Sequence, residues 1–141
     1  MLRRPLLFAA TLALLTPFLL GLGGGGGSPV SDTIPRPKES FSAQLLDRQG
    51  LTTRVELLSC AGRTFFPLER GEGTLMVPFG KIRQVEVGGE DGSGVAVTFH
   101  MEGGTVLEGR LPRQLLCTGS TEFGNYQVEL RGLSRIELSR P

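Results

Sequence analysis

Tryptophan is absent, histidine occurs once, at His100, and cysteine twice, at Cys60 and Cys117. One histidine and two cysteines fall short of the ligand set of a zinc centre, and their spacing matches no zinc pattern, so no protein-held metal is expected. A redox-active pair would need C-x-x-C or a charged neighbourhood to tune a thiolate, and neither is visible. No G-x-S-x-G elbow accompanies His100, no G-x-x-x-x-G-K-[ST] loop cradles phosphate, and no D-x-[DN]-x-[DN]-G loop offers a calcium site. Catalytic, metal and cofactor residues are therefore all expected to be none.

Charge of one sign is lacking too. From Phe41 onward 11 Lys/Arg stand against 12 Asp/Glu, a net charge of −1 with both signs interspersed. Such a surface has no electrostatic footprint for phosphate backbones or anionic lipid, so a nucleic-acid role is excluded. Aromatics make up only 6% of the 141 residues, helical periodicity is missing beyond the N-terminus, and glycine is abundant at 21 residues. Short strands and turns follow, and the expected class is all-β.

The N-terminus opens with Met1-Leu2-Arg3-Arg4 and then runs uncharged from Pro5 to Leu22. A basic start before an apolar segment is the pattern of an export signal. The run is long for a signal core and just short of a comfortable membrane span, and no A-x-A site follows it. Residues 1–22 thus read as a signal peptide or a retained anchor helix, with Pro17 interrupting the helix in favour of cleavage. Residues 23–40, five glycines followed by a proline-rich stretch, read as a linker. The folded domain is placed at 41–141, outside the cytoplasm, in the periplasm or beyond, and attached to the membrane only if residues 5–22 are kept.

Within the domain a motif occurs twice. Cys60-Ala61-Gly62-Arg63-Thr64 and Cys117-Thr118-Gly119-Ser120-Thr121 both read C-x-G-x-T. Each precedes the ladder V-x-[FL]-x-x-[IL]-x-x-[VI]-E-[VL], at Val77 to Val87 and at Val128 to Leu138. Alternating runs predict a hairpin over Phe41 to Leu57 and another over Val95 to Leu111. The spacing of three between Phe79, Ile82 and Val85 is no strand period and predicts a 3₁₀ turn between two short strands. Pro67 places its strand at an edge or ends it, and Gly88 to Gly94 reads as a loose connection between halves.

These matches predict two pseudo-symmetric repeats of about 50 residues, at 41–87 and 95–138, packed as a β-sandwich or small closed barrel. Cysteines at equivalent positions of a twofold can meet near its axis, and an oxidising compartment would join Cys60 to Cys117. His100 falls on the polar face of its strand, and Glu86 and Glu137 occupy matched outward positions. Adjacent Phe65 and Phe66 cannot both point inward from a regular strand. With Phe123 and Tyr126 they are the candidate contact residues.

The resulting expectation is an exported, non-enzymatic interaction or assembly module that meets another envelope protein or its own copy. Two alternatives stand beside it. A barrel with an apolar cavity would suit a small molecule or lipid. A hydrolase would need convergence of two among Glu69, Glu72, Glu90 and Asp91.

Overall fold

The computed structural model describes residues 33–92 and 94–139. The expected leader and the first part of the linker lie outside these residues. The described chain forms ten strands and two short 3₁₀ turns: β1 (Ser42–Asp47), β2 (Thr52–Cys60), β3 (Phe65–Arg70), β4 (Gly73–Pro78), η1 (Phe79–Lys81), β5 (Ile82–Asp91), β6 (Gly94–Met101), β7 (Val106–Pro112), β8 (Leu116–Thr121), β9 (Gly124–Glu129), η2 (Leu130–Gly132) and β10 (Leu133–Ser139).

The all-β class is as expected, but the architecture is neither a sandwich nor a closed barrel. All ten strands join antiparallel neighbours in one sheet, ordered β4-β3-β7-β6-β5-β10-β1-β2-β8-β9 and curled into a half-barrel. The reason is visible at the centre. There β5 pairs with β10, Val85 opposite Ile136, so the two groups of strands join edge to edge. Among the described residues no second sheet covers the apolar face, and the sheet buries that face by curling on itself.

The alternating strands supply the filling. Phe66 stacks 4.7 Å from Phe79 and 5.5 Å from Phe99, with Phe41 edge-on to Phe79 at 5.7 Å. Leu45, Val55, Leu58, Leu68, Leu111 and Ile136 are among the fully buried side chains around them. Each large side chain so removed from water contributes roughly 1.5 to 3 kcal/mol. The interior is thereby occupied by side chains.

The 3₁₀ turns fall where the spacing of three predicts them. Pro78 and Glu129 precede them in extended conformation, Phe79 and Leu130 are buried, and the N–H groups of Ile82 and Leu133 close back on the Phe79 and Leu130 carbonyls. The two hairpin turns also share a pattern. The Asp47 N–H donates to Leu51 O at 2.9 Å and the Met101 N–H to Thr105 O at 2.8 Å, while Gly50 and Gly104 take φ of 86° and 88°. Only glycine adopts that left-handed conformation without steric cost.

Replacing each strand by the one five places away turns the sheet order into its own reverse. Pairing follows the same exchange. Leu45 faces Ile136 across β1 and β10 as Phe99 faces Val85 across β6 and β5. A register shift follows in each, at Leu46/Asp47 and at Ile82/Gln84.

The C-x-G-x-T identity does not follow it. Cys60 ends β2, and Ala61 and Gly62 form a turn at φ of 52° and 72°, whereas Cys117, Thr118 and Gly119 lie inside β8. Opposite Val77 in β4 stands Phe66, and opposite Val128 in β9 stands Cys117, so the strand position of Cys117 corresponds to Phe66. The motif is a coincidence of composition between a turn and a strand.

Two further expectations change. β3 is second from the edge; Pro67 is tolerated because its nitrogen faces β7, which β3 pairs only at Glu69 opposite Arg110. The glycine-rich connection is mostly strand. β5 continues to Asp91 and β6 starts at Gly94, with the irregularity absorbed as a bulge between Val87 and Glu90.

Candidate functional site

Cys60 and Cys117 form a disulfide between directly opposed residues of β2 and β8, with Cα atoms 4.0 Å apart. The bond lies on the flank of the sheet and not at its centre, because β5 and β10 occupy the middle. Both cysteines are buried. Beside them the Ser59 and Thr118 hydroxyls meet at 3.2 Å, so these buried polar groups satisfy each other. The bridge ties β2 to β8 within the buried face of the sheet.

Two of the loop carboxylates are paired with arginines. Asp91 binds Arg110 Nη2 at 2.7 Å, while Glu90 lies 3.8 Å from Arg131 Nη1. Glu69 stands in β3 opposite Arg110, and Glu72 is exposed in the turn after it. Among the described residues no three His, Cys, Asp or Glu side chains gather as a metal site. His100 lies on the outward face of β6, as its alternation predicts, 28% exposed, with Nε2 at 3.3 Å from Glu86 Oε1. The contact lacks hydrogen-bond alignment, and Nε2 makes no hydrogen bond among the described residues.

The four aromatic candidates separate. Phe66 is wholly buried and therefore removed from any contact surface. Phe65 turns the other way and carries the Arg63 guanidinium over its ring at 5.4 Å. Tyr126 is half-buried against the core. Phe123 is 92% exposed at the β8–β9 turn, which is held by the Phe123 N–H on Thr121 Oγ1 at 3.1 Å and by the Thr121 hydroxyl on Gly124 O at 2.7 Å. It borders an open surface hollow of about 930 Å³ whose walls include Arg54, Glu56 and Tyr126.

The feature that sequence reading missed is the edge formed by β4. The Phe79 N–H donates to Thr64 O at 2.9 Å, and the register pairs Phe66 with Val77 and Leu68 with Leu75. Antiparallel alternation therefore points the N–H and C=O of Thr74 and Met76 away from β3. Pro78, at the next outward position, has no N–H to leave unpaired. Leu75 and Met76 are 45% and 55% exposed, and β4, Gly-Thr-Leu-Met-Val-Pro, carries no charge.

The opposite edge differs. On β9 the same alternation, set by the Leu130 N–H on Leu115 O at 2.8 Å, turns out Asn125, Gln127 and Glu129. Glu129 is tied to Arg131 Nε at 2.5 Å, and Thr33, Ile34 and Arg36 close a hollow with Ser120 and Asn125 beside this strand. Charges and a covering segment are the usual protection of an edge; among the described residues β4 has neither. The signal available in the sequence was the charge-free run from Gly73 to Gly80, but only strand order shows that it lies outermost.

No curated protein matches the sequence. A family model described as "Uncharacterised protein" matches residues 37–141, and the chain belongs to that family.

Proposed function

We propose that the chain is an exported binding module of the cell envelope, built from two fused copies of one β unit, that accepts a partner strand along β4. Export is supported by Arg3-Arg4 before the uncharged run to Leu22, and by a disulfide of the kind that persists in oxidising compartments. Among the described residues no helix is long and apolar enough to cross a membrane. Duplication is supported by the strand order that reverses on exchange and by the shared registers, bulges and turns.

One observation carries the functional reading: among the described residues an outermost, uncharged strand presents backbone groups of Thr74 and Met76 that no other strand pairs, with Leu75 and Met76 exposed. Strand addition gains main-chain hydrogen bonds there, and the flanking side chains set specificity. The test is photo-crosslinking in growing cells with a photoreactive residue at position 76 on β4 or at position 127 on β9. Adducts are expected from position 76 and not from 127. An absence of adducts at 76, or equal yields at both, refutes the reading.

A further inference from the structure

Resting on that reading, we infer that the strand received by β4 is β4 of a second copy, giving a closed twofold dimer in one register. Two antiparallel β4 strands can meet in few ways. With Met76 opposite Met76, Thr74 faces Pro78, which has no N–H to give. With Thr74 opposite Thr74, Met76 faces Glu72, which lies in the turn outside the strand. With Thr74 opposite Met76, the outward N–H and C=O of both residues are satisfied on both copies, and Leu75 meets Leu75 on the axis. Only this last register uses every available group, and it is symmetric by construction.

Charge agrees with it. Antiparallel approach sets the β3–β4 turn, with Glu72 in it and Glu69 and Arg70 at the end of β3, beside the Pro78 end of the other copy, where Lys38, Arg63 and Lys81 outnumber Glu39 and Glu102. Neither charge set lies on the strand, so the pairing surface stays apolar while its two ends attract. A heterologous contact of β4 with β9 of the next molecule would instead leave an edge free at each end and grow without closure. The polar, partly covered β9 opposes that arrangement.

The experiment uses the protein as cells export it, purified and run in sedimentation velocity over a range of concentrations. A monomer–dimer equilibrium is expected. Met76→Pro, which removes only an outward N–H, should weaken the dimer at least tenfold while leaving the melting temperature unchanged. Met76→Lys, which needs no special backbone, is the second variant and should do the same.

Register is read separately. Leu75→Cys should give a disulfide-linked dimer under oxidising conditions, since Leu75 would face itself in a non-hydrogen-bonded pair, the kind of pair that Cys60 and Cys117 form. Thr74→Cys should not. A monomer at every concentration, or mass that grows without a limit, overturns the inference. If the purified protein stays monomeric while position 76 still crosslinks a different protein in cells, self-pairing fails and strand docking stands. If neither is seen, both fail.

Discussion

Gly119 faces Val55 across β8 and β2 so closely that a Cβ on the glycine would lie 2.5 Å from the valine Cβ. On the other flank Gly109 stands in the same relation to β3, where a Cβ would fall 2.5 Å from Glu69 O and 2.7 Å from Leu68 Cδ1. At each junction one large residue fits against one glycine. The large residue belongs to the hairpin strand β2 in one junction and to the outer strand β3 in the other. Close packing of the two junctions is thus reached by opposite choices.

Gly119→Ala is expected to destabilise the fold by about 1 to 3 kcal/mol, the usual range for overpacking, because the neighbours are a β-branched side chain and backbone. Val55→Gly combined with Gly119→Ala should lose less than the sum of the two changes, with a coupling of at least about 1 kcal/mol. Urea unfolding of the four proteins in a double-mutant cycle measures it. Simple additivity would show that the two residues are not in conflict.

Replacing both Cys60 and Cys117 by Ser should cost about 4 kcal/mol, the chain-entropy value for a closed loop of this length. The cysteines are 57 residues apart in sequence. The effect should be reproduced in the native protein by adding a reductant and should vanish in the reduced comparison of the two proteins. The urea midpoint with and without reductant is the measurement.

Arg48 bridges distant segments, donating Nε to Arg131 O and Nη2 to Gly88 O, each at 2.6 Å. Both bonds are exposed, so Arg48→Ala should cost only about 1 kcal/mol. Its clearer signature is local. Hydrogen exchange should quicken around η2 and the Val87/Glu90 bulge while β6 to β8 keep their protection.

Phe66→Ala and Phe123→Ser should separate core from surface. The first empties a site between Phe79 and Phe99 and should cost about 3 to 5 kcal/mol. The second removes an exposed ring and should stay within about 0.5 kcal/mol of the parent. Thermal melting reads both, and a large loss at Phe123 would mean that its turn holds the β8–β9 hairpin together through the ring.

Much of this was readable before any fold was known, and the readable parts are local. The 3₁₀ turns follow from a spacing of three among Phe79, Ile82 and Val85, which only a tight helical turn can bury on one side. The hairpin turns follow from glycine at Gly50 and Gly104, and the outward setting of Glu86, Glu137 and His100 from alternation. The C-x-G-x-T identity misled because a cysteine ending a strand and a cysteine within one look alike in sequence. Their partners across the sheet, Val128 for Cys117 and none in β4 for Cys60, tell them apart.

The sequence by itself determined the all-β class, the turns, the inward and outward alternation and the pair of cysteines able to bridge, because each depends on neighbours within a few residues. Tertiary structure alone decided which strands became neighbours. It placed β5 beside β10, carried Cys60 to Cys117 on a flank, shortened the pairing beside Pro67 and left β4 outermost. Strand alternation has a period of two and is satisfied equally by many pairings, so long-range order comes only from packing the whole apolar face at once, and the free edge on which function is proposed to rest is a product of that order.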